Sequence, residues 1–382
     1  MMAGKKILFD GRFLSLAHGG IGRYSNELLK ALLAVDKKQK YILLVLPNVD
    51  LEPDLVRALN ERDEPVEIEK TNAVHYSFAE QTQLLVQLNR IKPDLIHFPH
   101  FNHPILYRGD FVVTIHDLTL SNYSERGSSF KRMVYNLVIK HAAEKSKKIF
   151  TVSNYVNKQL TKEFSLPIGK VVTTYNGIDE KFKKITNPRT LSRAQRYGIE
   201  GPFIVSVGQW RSHKNLLRLV EAFKKVIEKS NKYPNLKLVF VGRKEERYPQ
   251  LEHKVNQLNL GSRVVFTGFV KDEDLPIIYN CALAFVFASM SEGFGLPGLE
   301  AQACALPVVS SDATALPEIY GDGAVYFNGE NTTDMAEKII RVIENRKLQE
   351  KLKILGLKNA KKYSWLETAR KTLAVYQELL YK

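Results

Sequence analysis

Residues 283–310 read L-A-F-V-F-A-S-M-S-E-G-F-G-L-P-G-L-E-A-Q-A-C-A-L-P-V-V-S and contain the repeating unit of this chain. Residues 283–287 are a strand-sized apolar run, and a glycine-rich loop follows them. An apolar helical segment then begins at Pro297, and residues 307–310 form a second apolar run. Strand, helix and strand in this order are typical of a parallel sheet with crossover helices. The stretch therefore predicts a β-α-β unit whose loop lies at the carboxyl end of its first strand.

The same alternation extends over the whole chain. Apolar runs of strand length occupy residues 5–10, 41–46, 94–98, 111–115, 148–152 and 171–175 in the first half, and 203–207, 236–241, 263–267, 283–287, 307–310 and 324–327 in the second. Residues 177–201 between the halves are polar and basic, which is typical of a linker. The pattern predicts an α/β protein with two doubly wound, Rossmann-like parallel-sheet domains.

The unusual residues of the chain follow the predicted strands. Glycines, histidines and charged side chains come directly after several apolar runs in both halves. In open α/β sheets ligands bind at the carboxyl edge of the strands. We therefore expect the two edges to face each other across one interdomain cleft that holds the ligands.

Composition limits the class of protein. The chain has 382 residues with 44% hydrophobic content, a length that favours two domains. No apolar run approaches the ~18 residues of a membrane span, and the N-terminus shows no signal-peptide core, so a cytoplasmic protein is expected. A net charge of +15 favours anionic partners. Signatures of nucleic-acid-binding modules are absent, so no specific nucleic acid is expected among them.

One basic segment indicates where an anionic partner could bind. Residues 126–170 carry ten Lys or Arg against only Glu144 and Glu163, and residues 130–143 have helical periodicity. A basic amphipathic helix is typical of contact with an anionic membrane surface, which would make the protein peripheral at the inner face of the membrane. A solvated helix face is the alternative interpretation.

Two glutamates flank the glycine-rich turn of residues 291–306. Pro297 is favoured at a first helical position, which puts Glu300 in the opening turn of the helix and leaves Glu292 on the loop. The amides exposed between them belong to Phe294, Gly295 and Leu296. Paired carboxylates accept hydrogen bonds from vicinal hydroxyl groups, so the pattern predicts a site for a polyhydroxylated ligand. An ordinary helix start would explain Glu300 but not Glu292.

The spacing of Glu292 and Glu300 resembles the E-x7-E signature of retaining glycosyltransferases of family 4, the group 1 type with the GT-B fold. The resemblance implies that Glu292 lies by the donor sugar and that Glu300 holds the nucleotide ribose. It also implies an acceptor-side N-terminal domain over residues 1–183 and a nucleotide-sugar donor domain over 184–362. A C-terminal helix within 363–382 is expected to cross back onto the first domain.

A cluster of cations follows the first strand of the second half. Residues 208–215 read G-Q-W-R-S-H-K-N and place Arg211 and Lys214 at a helix N-terminus, where cations are unfavourable unless an anion binds. A nucleotide pyrophosphate is the anion we expect, and the pair resembles the arginine and lysine that hold the donor phosphates in the family. Gln209 stands where the family has its arginine, so Lys214 matches more closely than Arg211. Solvated surface cations are the alternative.

Further residues extend the predicted donor site. Arg243 follows another strand and is expected to add phosphate-binding charge. Gly268 and Phe269 match the family loop that lies under the nucleotide base. Asp272 and Asp274 form a D-x-D sequence, but acidic residues at a helix start need no metal, and no metal or cofactor is expected.

The N-terminal half carries a glycine-rich loop, A-H-G-G-I-G-R-Y, after its first strand. It resembles the family loop that approaches the donor phosphate and the acceptor. This resemblance assigns Gly20 to the donor and Gly19 and Gly22 to the acceptor side. A plain turn is the alternative, since the spacing does not match the dinucleotide fingerprint.

Histidines complete the set of candidate residues. His116 follows the strand at 111–115 and resembles a family histidine over the reacting sugar, while a structural histidine capped by Asp117 is the alternative. His97, His100 and His103 form a second cluster, H-F-P-H-F-N-H, which we interpret as loop histidines on the acceptor side rather than as a zinc site. His97 is taken as the acceptor-side member.

The resemblance therefore implies transfer of a hexosyl unit from a GDP- or UDP-sugar to a hydroxyl acceptor with retention of configuration. A glycan or a lipid-linked saccharide in polysaccharide or cell-envelope biosynthesis is the expected acceptor. His116, Lys214 and Glu292 are the predicted catalytic residues. A sugar-nucleotide epimerase, a hydrolase and a non-enzymatic polyanion-binding protein are the alternatives.

Overall fold

The computed structural model describes residues 4–15, 19–118, 129–187, 192–244 and 248–381, with only the backbone for residues 129–132. The described chain divides into two compact units. Unit 1 holds the residues up to Gly177 and those from Ser364 onward, and unit 2 is Ile178–Tyr363. Phe182 lies with unit 2 because its ring packs against Tyr279, with 6.0 Å between ring centroids.

Unit 1 contains a parallel sheet of seven described strands in the order β3-β2-β1-β4-β5-β6-β7. The strands are β1 Lys6–Asp10, β2 Lys40–Val45, β3 Glu67–Lys70, β4 Leu95–Phe98, β5 Phe111–Ile115, β6 Lys148–Thr151 and β7 Val171–Thr173. The helices are α1 Gly20–Val35, α2 Pro53–Asn60, α3 Phe78–Gln81, α4 Gln83–Ile91, α5 Ser129–Lys145, α6 Asn154–Phe164 and, at the C-terminus, α14 Trp365–Leu380.

Unit 2 contains a parallel sheet of six described strands in the order β10-β9-β8-β11-β12-β13. The strands are β8 Phe203–Val207, β9 Lys237–Val241, β10 Val264–Gly268, β11 Ala284–Phe287, β12 Val308–Ser311 and β13 Ala324–Phe327. The helices are α7 Leu216–Lys229, α8 Gln250–Gln257, α9 Leu275–Cys281, α10 Leu296–Ala303, α11 Leu316–Tyr320, α12 Thr332–Glu344 and α13 Arg346–Ala360, with 3-10 turns at Ser192–Tyr197, Ser212–Lys214 and Gly321–Gly323.

Burial explains why the apolar runs form strands. The central strands β1, β4, β5, β8 and β11 are buried along nearly their whole length, as expected when helices cover both faces of a parallel sheet. All twelve predicted strands occur, with bounds that match or differ by at most two residues. Strand β3 was missed because its sequence, E-I-E-K, is polar and mostly exposed at the sheet edge.

The C-terminal helix α14 belongs to unit 1, as the resemblance implied. It packs along α1. The Tyr376 hydroxyl of α14 is hydrogen-bonded to Nδ1 of His97 in β4, and the Thr368 hydroxyl donates to the carbonyl oxygen of Tyr175. These contacts attach the last helix of the chain to the first sheet.

Each sheet has one point where its strand order reverses. In unit 1 the chain leaves β1 toward β2 and β3, whereas β4 begins the progression to β7 on the other side. In unit 2 the same reversal separates β8 from β11. A crevice opens at the carboxyl ends of the two strands at such a point, and ligands bind there. Among the helices of the described residues, none is long and apolar enough to cross a bilayer.

Candidate active site

The candidate site of unit 2 lies where β8 and β11 end side by side. The loop after β8 carries Lys214 on a 3-10 turn, and the loop after β11 carries Glu292. Two hydrogen bonds connect the loops, because the His213 carbonyl oxygen accepts from the Met290 amide at 2.7 Å and from the Ser289 hydroxyl at 3.1 Å. The structure thus brings together two segments that the sequence analysis assigned separately to phosphate and sugar.

Lys214 and Glu292 form an ion pair in this crevice. The Lys214 Nζ lies 2.5 Å from Oε1 of Glu292 and 5.3 Å from the centroid of the Phe287 ring. The side chains are 17% and 14% exposed, so both remain within reach of a ligand. An ammonium group has three N–H donors, and one bond to Glu292 leaves capacity for a phosphate oxygen.

The Glu292 backbone is held independently of its side chain. The Thr314 hydroxyl accepts from the Glu292 amide at 3.0 Å and donates to the Glu292 carbonyl oxygen at 3.0 Å. Thr314 has φ 53°, a conformation that costs energy for a β-branched residue. The carboxylate can therefore change partner while its backbone stays in place.

A pocket of about 240 Å³, partly open to solvent, adjoins Lys214. Its lining includes Ser206, Gly208, Gln209, Lys214, Phe240 and Phe287. The pocket thus lies at the carboxyl ends of β8 and β11, beside the Lys214 side chain.

The ends of β8, β9 and β10 approach one another closely through glycines. A Cβ on Gly242 would lie 2.1 Å from the carbonyl oxygen of Gly208, and the Gly242 amide donates to Gly268. The Arg243 guanidinium lies 5.5 Å from the centroid of the Phe269 ring, which is exposed. The structure thus places Arg243, Gly268 and Phe269 at one edge of the sheet, as predicted.

Arg211 and Lys214 lie just before the N-terminus of α7. Lys214 lies in its own 3-10 turn, and Asn215, with φ 57°, separates this turn from α7. The cations therefore precede the first turn of the helix. Arg211 is exposed, and no ion pair to it occurs in the described part of the chain.

Glu300 also lies elsewhere than predicted. Helix α10 begins at Leu296 with Gly295 as its N-cap, so Pro297 is the second helical residue and Glu300 lies beyond the first turn. Glu300 is buried and its Oε2 accepts from the Tyr279 hydroxyl at 3.1 Å. The prediction that it occupies the opening turn is wrong because the left-handed Gly295, with φ 88°, starts the helix one residue earlier.

The turn before α10 is packed against a tyrosine. A Cβ on Gly295 would lie 2.5 Å from the Tyr320 hydroxyl oxygen, which donates to the Gly295 carbonyl at 2.6 Å. Phe294 and Gly295 are buried as residues, whereas Leu296 keeps partial exposure. Of the three amides predicted to be exposed, two belong to buried residues.

The N-terminal glycines of unit 1 have different surroundings. Gly19 has φ 61° and caps α1. Gly22 is buried, and a Cβ there would lie 2.3 Å from the Ser15 carbonyl oxygen, so its absent side chain lets α1 pack on the preceding loop. At Gly20 a Cβ would meet no described atom within 4 Å. Packing among the described residues thus explains why a side chain is excluded at Gly22, but it gives no reason for a glycine at Gly20.

His116 lies at the end of β5, half-buried. Its Nε2 is 2.8 Å from the Pro99 carbonyl oxygen, and a carbonyl only accepts, so Nε2 carries the proton and Nδ1 is an acceptor. Its ring packs edge-on against Tyr24, with 4.6 Å between centroids. Burial lowers the pKa of His116, so the imidazole is neutral near neutral pH and can accept a hydrogen bond from a sugar hydroxyl.

The prediction for His97 is wrong. The residue lies within β4 with no exposed surface, not in a loop. Its Nε2 is 2.8 Å from the Thr114 hydroxyl and its Nδ1 bonds Tyr376, and burial lowers its pKa to about 3. A side chain without surface cannot contact an acceptor, because the C-terminal helix covers this part of β4. In the described residues no three His, Cys, Asp or Glu side chains form a metal-sized group.

Sequence reasoning missed a buried ionic cluster in unit 1. Arg12 forms two bonds to Asp10, with Nη2 2.7 Å from Oδ2 and Nε 2.9 Å from Oδ1, and its Nη2 lies 2.9 Å from Oε1 of Glu80. The pKa of Glu80 is raised by burial, which the Arg12 charge opposes. The only sequence signal was a pair of polar residues at the end of β1, Asp10 and Arg12. It does not identify Glu80 on α3 as their partner.

Two family models match the chain. The model described as Glycosyl transferases group 1 matches residues 191–360, and the model Glycosyltransferase Family 4 matches residues 18–182. The first falls within unit 2, and the second falls on unit 1 apart from residues 178–182. The chain belongs to the group 1 glycosyltransferases. The family assignment therefore favours the enzyme over the polyanion-binding alternative.

Relatives and solved structures agree with this assignment. O-antigen chain mannosyltransferase B of Escherichia coli is 27% identical, over 98% of this chain and 100% of that protein. Sucrose-phosphate synthase of Thermosynechococcus elongatus superposes with a TM-score of 0.79 over 99% of both chains at 18% identity. Anabaena HepE in complex with UDP-glucose superposes with a TM-score of 0.74, over 97% of this chain and 100% of that one, at 19% identity. The predicted GT-B fold of this glycosyltransferase is thus confirmed.

Proposed function

We propose that this glycosyltransferase moves a hexosyl unit from a GDP- or UDP-sugar to a hydroxyl group of a saccharide, with retention of the anomeric configuration. The observation that carries the proposal is the pairing of Lys214 with Glu292 at the point where the strand order of unit 2 reverses. One group suits a diphosphate and the other a sugar, and a nucleotide sugar contains both. Mannose is the first hexose to test, because the Escherichia coli relative that matches along its whole length is a mannosyltransferase.

In this proposal unit 2 binds the donor. Lys214 and Arg211 contact the diphosphate, and Arg243 adds positive charge. The backbone around Gly268 and Phe269 contacts the base. Glu300, oriented by Tyr279, accepts hydrogen bonds from the ribose. Leu296, the partly exposed first residue of α10, supplies an amide donor to the sugar diphosphate.

The chemical step breaks the bond between the anomeric carbon and the diphosphate oxygen. The acceptor oxygen forms its bond to the same face of that carbon, and the acceptor proton passes to the departing diphosphate. Lys214 and Arg211 stabilise the negative charge that develops on the leaving group, so we propose that no metal ion or other cofactor is needed. Glu292 orients the sugar and offsets the positive charge that develops on it. The neutral His116 accepts a hydrogen bond from a sugar hydroxyl.

Unit 1 is proposed to bind the acceptor, a glycan or lipid-linked saccharide of a polysaccharide or cell-envelope pathway. Three apolar side chains of α5, Met133, Val134 and Leu137, are exposed on a helix rich in basic residues. Such a surface suits peripheral contact with an anionic membrane. Equal binding of the protein to neutral and anionic vesicles would contradict this contact.

A thermal-shift panel of GDP, UDP and their hexose derivatives tests the donor. Saturation at about 100 times Kd should stabilise the protein by about 2.7 kcal/mol, a shift of about 5–10 °C. Lys214→Ala should lose the shift, and Glu292→Gln should keep it but lose most turnover. The anomeric configuration of the product, determined by NMR, tests retention.

The remaining alternatives have distinct outcomes in the same experiments. Sugar release from a simple glycoside without nucleotide would indicate a hydrolase, and a changed sugar nucleotide without acceptor would indicate an epimerase. Normal turnover in both Lys214→Ala and Glu292→Gln would refute the site assignment.

A further inference from the structure

A row of aromatic rings crosses the carboxyl edge of the sheet in unit 1. Neighbouring ring centroids are 4.4 to 6.3 Å apart. In order along the row the residues are Tyr76, His75, Phe13, His100 and His116. Tyr76 also lies 6.1 Å from His100 and is 58% exposed, so the row ends in an open aromatic surface.

The segment that carries Tyr76 is held over the sheet edge by the buried ionic cluster. It follows the edge strand β3, yet Arg12 after β1 donates to the Ala73 carbonyl oxygen at 3.1 Å. The Tyr76 amide donates to Oε2 of Glu80 at 3.1 Å, and Glu80 is paired with Arg12. These bonds bring the segment from the edge of the sheet to the reversal point between β1 and β4.

Tyr76 is also strained. Its φ of 60° lies in the left-handed region, which is costly for a residue with a large side chain. Strain of this kind persists where the surrounding structure imposes it, and it occurs most often at binding sites. Here the bond to Glu80 imposes it and fixes the direction of an exposed ring.

The same cluster sets the proton position on His100. Asn102 donates from Nδ2 to Oε2 of Glu80 at 3.4 Å, which turns its amide oxygen toward His100. That oxygen is 2.7 Å from Nδ1 of His100, so Nδ1 carries the proton and Nε2 is an acceptor. Burial lowers the pKa of His100 to about 3, which keeps the ring neutral. Among the described residues nothing bonds to Nε2.

The chemistry of this edge differs from that of unit 2. The site around Lys214 offers cations to an anion, whereas the row in unit 1 offers the neutral imidazoles of His100 and His116 and the exposed phenol ring of Tyr76. Neutral acceptors bind hydroxyl groups, and aromatic faces bind the C–H faces of sugar rings. The charged members of the cluster, Asp10, Arg12 and Glu80, are buried and paired with one another. An uncharged saccharide ring fits this edge better than a phosphate.

We propose that Tyr76 is the stacking platform of a neutral-saccharide site in unit 1 and that Nε2 of His100 accepts a hydroxyl group of the same sugar. This inference rests on the proposed function, because it assigns the acceptor saccharide to these residues. It predicts that Tyr76 determines recognition of the acceptor and leaves the donor unaffected.

Direct saccharide binding tests the site without any donor. Saturation-transfer NMR would use neutral di- and trisaccharides of mannose, glucose and N-acetylglucosamine, with glucose 6-phosphate as the charged comparison. The parent protein and Tyr76→Phe should give saturation transfer to a neutral saccharide, and Tyr76→Ala should bind it about tenfold more weakly. The control is Phe78→Ala, which removes a neighbouring ring that is 82% exposed, and it should bind like the parent protein.

Turnover with a donor and acceptor supplies the second measurement. Tyr76→Ala should raise the acceptor KM about tenfold while the donor KM and the nucleotide thermal shift stay within about twofold. Unchanged saccharide binding in Tyr76→Ala, or no binding of any neutral saccharide by the parent protein, would overturn the inference. Loss of nucleotide binding in Tyr76→Ala would overturn it as well.

The two proposals fail separately. If no nucleotide sugar binds the parent protein but saccharide binding depends on Tyr76, the proposed donor reaction is wrong and the saccharide site stands. If nucleotide sugars bind the parent protein but saccharide binding does not depend on Tyr76, the saccharide site is wrong and the proposed donor reaction stands.

Discussion

The ion pair between Lys214 and Glu292 supports a quantitative prediction. An exposed pair contributes at most about 1 kcal/mol, whereas breaking a fully buried pair costs about 3–5 kcal/mol. These side chains are 17% and 14% exposed, which lies between the two cases. We expect Lys214→Met and Glu292→Gln each to lower the free energy of unfolding of unit 2 by about 2 kcal/mol. The double variant should lose about 1–2 kcal/mol less than the sum.

Ligand binding should separate the two single variants. Lys214→Met removes a charged donor to the diphosphate and should weaken GDP or UDP binding by about 1.5–3 kcal/mol. Glu292→Gln releases the ammonium from its carboxylate partner, so nucleoside diphosphate binding should be equal or tighter while turnover is lost. If the Lys214–Glu292 pair had a purely structural role, the two single variants would weaken nucleoside diphosphate binding equally.

The chain offers its own reporters for this experiment. Its two tryptophans lie in different units, Trp210 in unit 2 and Trp365 in unit 1. Urea titrations in a Trp365→Phe background would follow unit 2 alone through Trp210 fluorescence. The matched control is Lys254→Met, which breaks a pair to Glu221 at 2.8 Å whose side chains are 26% and 37% exposed.

The control should cost less than about 1 kcal/mol and leave nucleotide binding unchanged. Two results would refute the reasoning. One is additivity of the two single variants within about 0.5 kcal/mol. The other is a loss of nucleoside diphosphate affinity in Glu292→Gln as large as that in Lys214→Met.

Two further predictions concern unit 1. Burial lowers the pKa of His97 and His100 to about 3 and of His103 to about 4, so each ring takes up a proton on unfolding below its usual pKa of ~6.5. Stability of unit 1 should therefore fall as pH drops below about 6.5, by about 1.4 kcal/mol per histidine at pH ~5.5, and a flat urea midpoint for its tryptophan would contradict this. Gly22→Ala should destabilise unit 1 by about 1–3 kcal/mol, because its Cβ would lie 2.3 Å from a carbonyl oxygen of the preceding loop. Gly20→Ala should keep or slightly raise the melting temperature and reduce sugar transfer. Equal melting temperatures of Gly22→Ala and Gly20→Ala would show that the difference in packing around the two glycines is irrelevant.

Local sequence predicts a strand where burial requires a run of apolar residues. Apolar runs identified twelve strands because a parallel sheet buries its central strands on both faces. Strand β3 has one apolar residue in E-I-E-K, and its pairing with β2 comes from its position in the sheet, not from its composition. The start of α10 moved by one residue because the left-handed backbone of Gly295 depends on contact with Tyr320.

The chain's sequence alone determined the two α/β halves, the residues that follow each strand, and the excess of cations near one loop. Its local patterns are short-range, so they report the type of each element and the chemistry at its ends. Tertiary structure decided which ends meet. Lys214 and Glu292 are 78 residues apart and pair only because β8 and β11 are neighbours in the sheet. His97 became a core residue only because α14 covers β4, a contact across 279 residues that no local pattern encodes.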